Sequence, residues 1–263
     1  MNTSTYKKVT KKIAILFIFS IVYIFNSYAQ SDSSYLLIQE GNKAYTESEF
    51  EKAINNYEQV IKSGYSASEL YYNLGNAYYR NLDYKSAILN YERALLLAPD
   101  DENIITNLEF SRNRIQDRIE EIPKFFLFKW VDTSVNIFSS KVWSIISITG
   151  FILFLVLAIL FLFSRTIIIR KLAFLLSIII FFFAVLSFYG RLVQKKKLTS
   201  HSQAIVFTSS VTVKSAPTSS GTDLFIIHEG LKVKILDSTE GWKEIQLSDG
   251  KIGWLPEETI VKI

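Results

Sequence analysis

With two histidines, His201 and His228, and no cysteine, this 263-residue chain has few means of acid–base, nucleophilic or thiolate chemistry. The patterns HExxH, GxSxG, GxGxxG and GxxxxGK do not occur in the sequence, so it spells out no zinc helix, nucleophile elbow or phosphate-cradling loop. His228 stands just before a Glu-Gly turn and reads as a structural or surface residue. The chain is therefore expected to be non-enzymatic, without cofactor or metal. What does recur is the amphipathic ring: residues 68–84 hold eight tyrosine or leucine side chains. Tyrosine offers a broad apolar face with a hydrogen-bonding tip, which is the chemistry of contact. Tyr72 and Tyr79 lie seven positions apart, on one helical face. Near the end of the sequence, Trp242, Trp254 and Pro256 make a second aromatic set.

The elements that must position these rings differ sharply in composition. The content is 49% hydrophobic and 14% aromatic, and it is concentrated in runs, the mark of membrane segments. The net charge of +4 divides into +4 for residues 1–29, −7 for 30–122, +9 for 123–200 and −2 for 201–263. The positive charge thus belongs to the membrane region. An acidic helical part and a slightly acidic tail would repel phosphate, which sets nucleic acid aside as a partner. The absence of cysteine is compatible with an oxidising compartment.

Residues 34–67 and 68–101 form two 34-residue units in one register, an internal repeat. The second unit resembles the tetratricopeptide repeat, matching its pattern at Tyr71, Leu74, Gly75, Tyr78, Ala87, Tyr91, Ala94 and Pro99. The first is a looser copy, matching at Leu37, Gly41, Ala53 and Tyr57. Small Gly75 and Ala87 are expected where the two helices of a repeat cross, with Tyr91 filling the adjoining gap. Tyr71, Tyr78 and Tyr91 are thereby assigned to structure. The resemblance implies a concave groove lined by the first helix of each repeat, and it places Tyr35, Ile38, Asn42, Tyr45, Tyr72, Asn76 and Tyr79 there as candidate partner contacts. Some such domains clamp a peptide C-terminus with cations and asparagines; here Asn42 and Asn73 match the asparagines, but Ile38, Asn103 and Asn107 occupy the cationic positions. Two repeats fall short of the usual three. Ile105, Leu108, Ile115 and Ile119, returning at helical spacing, predict a capping helix over residues 102–120.

Lys7, Lys8, Lys11 and Lys12, an apolar run and small Ser27 and Ala29 predict a signal peptide over residues 1–29, with an uncleaved anchor as the alternative. Two further apolar runs predict transmembrane helices over residues 142–164 and 172–190, joined by a short cytoplasmic turn at 165–171. A hairpin returns the chain to its starting side, so both soluble parts are expected in one compartment, which the signal makes the periplasm. Residues 123–141, with Phe125, Phe126, Phe128 and Trp130, read as an interfacial linker, or alternatively as a segment packed beneath the repeats. Residues 191–201, with Lys195, Lys196 and Lys197, read as a basic linker that could lie against anionic headgroups.

From residue 202 the apolar period changes to two, with short strands separated by Gly-, Ser- and Asp-rich turns. Five or so strands in a tail spanning 202–263 suggest a small barrel, and their order resembles bacterial SH3-like domains. That resemblance implies a ligand groove at Trp242, Trp254 and Pro256, although Thr259 replaces the usual tyrosine. The expected fold is multi-domain: an α-helical tetratricopeptide repeat domain, a two-helix transmembrane hairpin and a small all-β SH3-like barrel.

The order of these parts resembles the BatE-like aerotolerance-operon proteins of Bacteroidetes. This implies a non-enzymatic scaffold of the inner membrane, working beside von Willebrand A-domain membrane proteins and a MoxR-type ATPase in tolerance of oxidative stress. The partners expected are proteins and the lipid bilayer. A cell-wall sensor that binds peptidoglycan through its tail is the alternative.

Overall fold

Small residues at helix crossings let the N-terminal helices stack closely. The computed structural model describes residues 32–119, 126, 133–200 and 202–263; the expected signal peptide and, of the linker expected at 123–141, residues 123–125 and 127–132 lie outside these. Helices α1 (Asp32–Thr46), α2 (Phe50–Lys62), α3 (Ser68–Arg80) and α4 (Tyr84–Leu97) form two antiparallel pairs, followed by α5 (Glu102–Arg112). A Cβ placed on Gly41 would lie 2.6 Å from the Tyr57 ring, and one on Gly75 would lie 2.7 Å from the Tyr91 ring. Both rings are buried. The two turns are copies as well: Ser48 and Leu82, 34 positions apart, both adopt positive φ, at 62° and 63°. Asp83 caps α4 by accepting from the Ser86 amide at 3.1 Å, and Asp101 caps α5 through the Asn103 and Ile104 amides. Ala87 is fully buried. Ala87→Leu is expected to lower stability by about 1–3 kcal/mol through overpacking; an unchanged melting curve by circular dichroism would contradict this packing.

The C-terminal part is an antiparallel β domain. Its strands are β1 (Gln203–Val206), β2 (Ser210–Lys214), β3 (Asp223–His228), β4 (Lys232–Thr239), β5 (Trp242–Gln246), β6 (Ile252–Pro256) and β7 (Ile260–Lys262). The order is β3-β2-β6-β5-β4-β1-β7, seven strands where the sequence suggested about five. Alternation sends Val213, Ile227, Val233, Ile245 and Leu255 into the core. Glu240 and Gly241, with φ of 35° and 83°, form the two-residue turn between β4 and β5, and positive φ at both positions suits the strand twist.

The β domain docks on the second repeat. Ile205 and Ile263 join the buried cluster of Ala87, Ile88, Leu89, Tyr91, Ile104 and Leu108. As a result α4 is buried on several sides, a repeat helix covered by strands instead of by another repeat. This docking also shortens the expected cap. The helix ends at Arg112, and residues 113–119 leave it without regular helix. Ile119 packs on the β core, and Ile115 presses on Gly230, where a Cβ would meet it at 2.5 Å. Burial against the strands offers these two isoleucines more than another helical turn would. Gly230 is demanded twice, by this contact and by its φ of 85°.

Helices α6 (Ser140–Phe163) and α7 (Ile167–Thr199) form a hairpin, and both are long and apolar enough to cross a membrane. Small residues again set the approach: a Cβ on Gly150 would lie 3.2 Å from that of Ala184, and Ser147 donates to the Ala184 carbonyl at 3.1 Å. The outward faces are phenylalanine, isoleucine and leucine, largely exposed. Trp143 Nε1 and Gln194 Nε2 both donate to the Val135 carbonyl, at 2.9 and 3.0 Å. Residues 191–199, expected as a linker, instead continue α7. They are good helix formers without proline, and buried Gln194 anchors them. The turn is likewise shorter than expected, because Ile167–Lys171 belong to α7.

Candidate partner-binding site

The candidate groove residues occupy the first helix of each pair: Tyr35, Ile38, Asn42 and Tyr45 on α1, and Tyr72, Asn76 and Tyr79 on α3. A hydrogen-bond ladder runs beneath them. Tyr57 donates to Asn42 Oδ1 at 2.7 Å, and Asn73 Nδ2 reaches the same oxygen at 3.4 Å. One repeat later, Tyr91 donates to Asn76 Oδ1 at 2.7 Å and Asn107 Nδ2 reaches it at 2.9 Å. Every member is displaced by the same 34 positions, so α5, which supplies Asn107, acts as the first helix of an unfinished third repeat. Asn42 and Asn76 are therefore rungs between helices.

Burial holds the donor tyrosines protonated. Desolvation pushes the Tyr57 hydroxyl up to about 12, with Tyr45 adding to the shift, and it raises that of Tyr91, with Tyr72 adding. Tyr78 is raised by burial and then by its 2.5 Å hydrogen bond to Glu58. These hydroxyls donate throughout the physiological range.

The rings divide into two groups. Tyr72 accepts from Asn107 Nδ2 at 3.1 Å and tilts against Tyr91 at 6.0 Å. Tyr79 packs edge-on to Tyr84 at 5.5 Å. Both are half-buried and lie against the cluster that includes α5. Tyr45 is half-buried and packs against Phe50 at 5.6 Å. At the open end of the stack, Tyr35 is 59% exposed. There Tyr35 and Ile38 share a cleft of about 520 Å³ with Tyr65, Glu69, Leu70 and Asn73. Tyr65 and Glu69 were not among the sequence candidates. Their positions follow the first repeat's last helix, and only folding brings them opposite α1.

On the β domain, Trp242 stands directly opposite Pro256, with Trp254 two residues before it on β6. Period-two alternation puts all three on the face away from Lys243, Ile245 and Leu255, and all three are half-exposed. Thr259 is buried and donates to the Pro256 carbonyl at 2.6 Å, which stiffens the end of β6. Trp242→Ala is expected to leave the melting transition of the β domain nearly unchanged, since neither neighbouring core residue depends on it; collapse of that transition would assign the ring to the core. His228 sits between the domains. Asp117 accepts from its amide at 2.6 Å and faces its Nδ1 at 2.8 Å, and Gln116 lies 3.2 Å from Nε2.

The tetratricopeptide repeat family matches residues 68–101, the unit formed by α3, α4 and the turn after them. Comparison with curated proteins returns no match to the chain.

Proposed function

We propose that this chain is a non-enzymatic adaptor of the bacterial inner membrane, which holds partner proteins on the concave face of its repeats while the α6–α7 hairpin anchors it. Tetratricopeptide repeats are protein-interaction modules, and the observation that carries the reading is the open cleft at Tyr35 and Ile38, set on a rigid asparagine–tyrosine ladder. Preorganised rings lose little entropy on binding. In this reading both soluble parts are periplasmic. The partners are von Willebrand A-domain membrane proteins of a BatE-type aerotolerance complex, and anchoring raises their effective concentration at the groove. A photoreactive residue at Tyr35 should crosslink such proteins in intact membranes, and one at exposed Glu51 should not. Equal labelling at both positions would remove the groove from the proposal. Since the chain has no cysteine, single cysteines report orientation without interference. Ser48→Cys should react with an impermeant maleimide from the periplasmic side and Arg165→Cys should not; the reverse pattern overturns the orientation.

The half-exposed set of Trp242, Trp254 and Pro256 favours a second reading, in which the tail is an SH3-like module that binds peptidoglycan. Retention of the full chain on purified wall sacculi, lost in Trp242→Ala, supports it; equal retention of both proteins rejects it.

A further inference from the structure

Among the described residues, the one formal charge in the lining of the cleft at the open end of the repeats is the carboxylate of Glu69. Glu69 places a carboxylate in the first turn of α3. Asn73 turns Nδ2 toward Asn42 at 3.4 Å, which leaves its Oδ1 as an acceptor for a ligand. Tyr35 accepts from Gln39 at 2.8 Å, and the faces of Tyr35 and Tyr65 present negative π-density beside Ile38 and Leu70. Among the described residues, no lysine, arginine or histidine lines the cleft.

The cations of the repeats are engaged elsewhere. Lys43, Lys52 and Lys62 pair with Glu47, Glu49 and Glu58 along their own helices. Arg80 stacks on Phe50 at 4.9 Å. Lys85 and Arg93 reach the β domain, at Glu229 and the Lys262 carbonyl. Among the described residues Glu69 has no ion-pair partner, and residues 30–122 carry a net charge of −7.

We infer that this cleft takes the lysine or arginine side chain of a bound peptide, its stem against Ile38 and Leu70 and its charged head between the two tyrosines, Glu69 and Asn73. This rests on the groove reading above and states which peptides that groove accepts: basic ones, in place of the carboxylate termini that a cationic clamp would take. A carboxylate entering here would meet Glu69 with no cation to offset it, and like charges at close range oppose binding.

The test uses the full chain in nanodiscs of phosphatidylcholine, whose zwitterionic surface does not itself collect basic peptides. A displayed library of random nonapeptides is selected on wild-type protein and on Glu69→Lys. Wild type should enrich lysine and arginine at one position several-fold over the library frequency. Glu69→Lys should exchange this preference for aspartate and glutamate. The selected basic peptide, measured by fluorescence anisotropy, should bind Glu69→Gln about 5-fold more weakly, as loss of one partly exposed ionic partner predicts. Glu69 is exposed, so these variants should fold as wild type does. Enriched peptides that lose binding in Tyr35→Ala yet show no cationic preference overturn the inference and leave the groove reading standing. A cationic preference that persists in Glu69→Lys also overturns it. If no peptide is enriched on the wild type, the groove reading falls together with the inference.

Discussion

Tyr91→Ala is expected to lower the melting temperature of the second repeat more than any other single change there. The ring is 1% exposed and fills the space that Gly75 leaves, so close that a Cβ there would fall 2.7 Å from Cε1. Its hydroxyl supports Asn76 and, through it, Asn107 on α5. Removing a buried aromatic costs about 3–5 kcal/mol, against a total stability of about 5–15 kcal/mol for a domain. Tyr91→Phe keeps the ring and loses one hydrogen bond, a cost of about 1 kcal/mol, softened because Asn76 retains Asn107. Helical circular dichroism on heating should therefore rank wild type, Tyr91→Phe and Tyr91→Ala in falling order of melting temperature. Gly75→Ala adds a diagnostic cycle. It should destabilise the wild type, where the ring blocks the new methyl, and be less harmful or favourable beside Tyr91→Ala, where the methyl enters vacated space and helix propensity improves. Additive effects in that cycle would show that glycine and ring do not meet.

Glu92→Lys is expected to release the β domain from the repeats while each part keeps its own fold. The Glu92 side chain is 4% exposed and lies between Arg112 Nη2 at 2.5 Å and Lys232 Nζ at 2.6 Å, joining α4, α5 and β4 in one contact. Deleting one partner of a buried pair costs about 3–5 kcal/mol. Arg112 and Lys232 are 42% and 29% exposed on their side chains, so water screens part of this, and about 2–4 kcal/mol is expected for Glu92→Ala. Lysine adds a third cation to the two already there and should exceed that. Hydrogen exchange is the suitable measurement. Amides of β1 and of the Ile115–Gly230 contact should lose protection, whereas the Val213, Ile245 and Leu255 core should keep it. Raised salt should restore part of the docking by screening the repulsion, and Lys232→Glu in the same chain should also restore part of it. Unchanged protection at β1 would mean that the apolar contacts of Ile205 and Ile263 suffice without the charge cluster.

Periodicity made much of this architecture legible. A 34-residue recurrence of glycine, alanine and tyrosine implies two helix pairs, because those small residues have a use only where helices cross. Two apolar runs without a polar face imply a pair of helices long and apolar enough to cross a membrane. Alternation from residue 202 onward implies strands with one buried face. Local chemistry sufficed in each case, since the pattern names the face that must leave water.

What covers that face is a tertiary matter. Ile115 and Ile119 keep helical spacing, yet they leave α5 to pack against Gly230 and the β core. Tyr72 and Tyr79 share the helical face of an open groove, yet they lie half-buried against α5 and its exit. Glu92 resembles any charged position on a solvated helix until β4 brings Lys232 to it. Glu69 and Tyr65 become a cleft only when α1 stands opposite them. The hydrophobic effect is non-directional. A sequence therefore determines by itself which surfaces must be buried, while the choice among covers of similar apolar area falls to shape and charge at contacts between residues far apart in the chain.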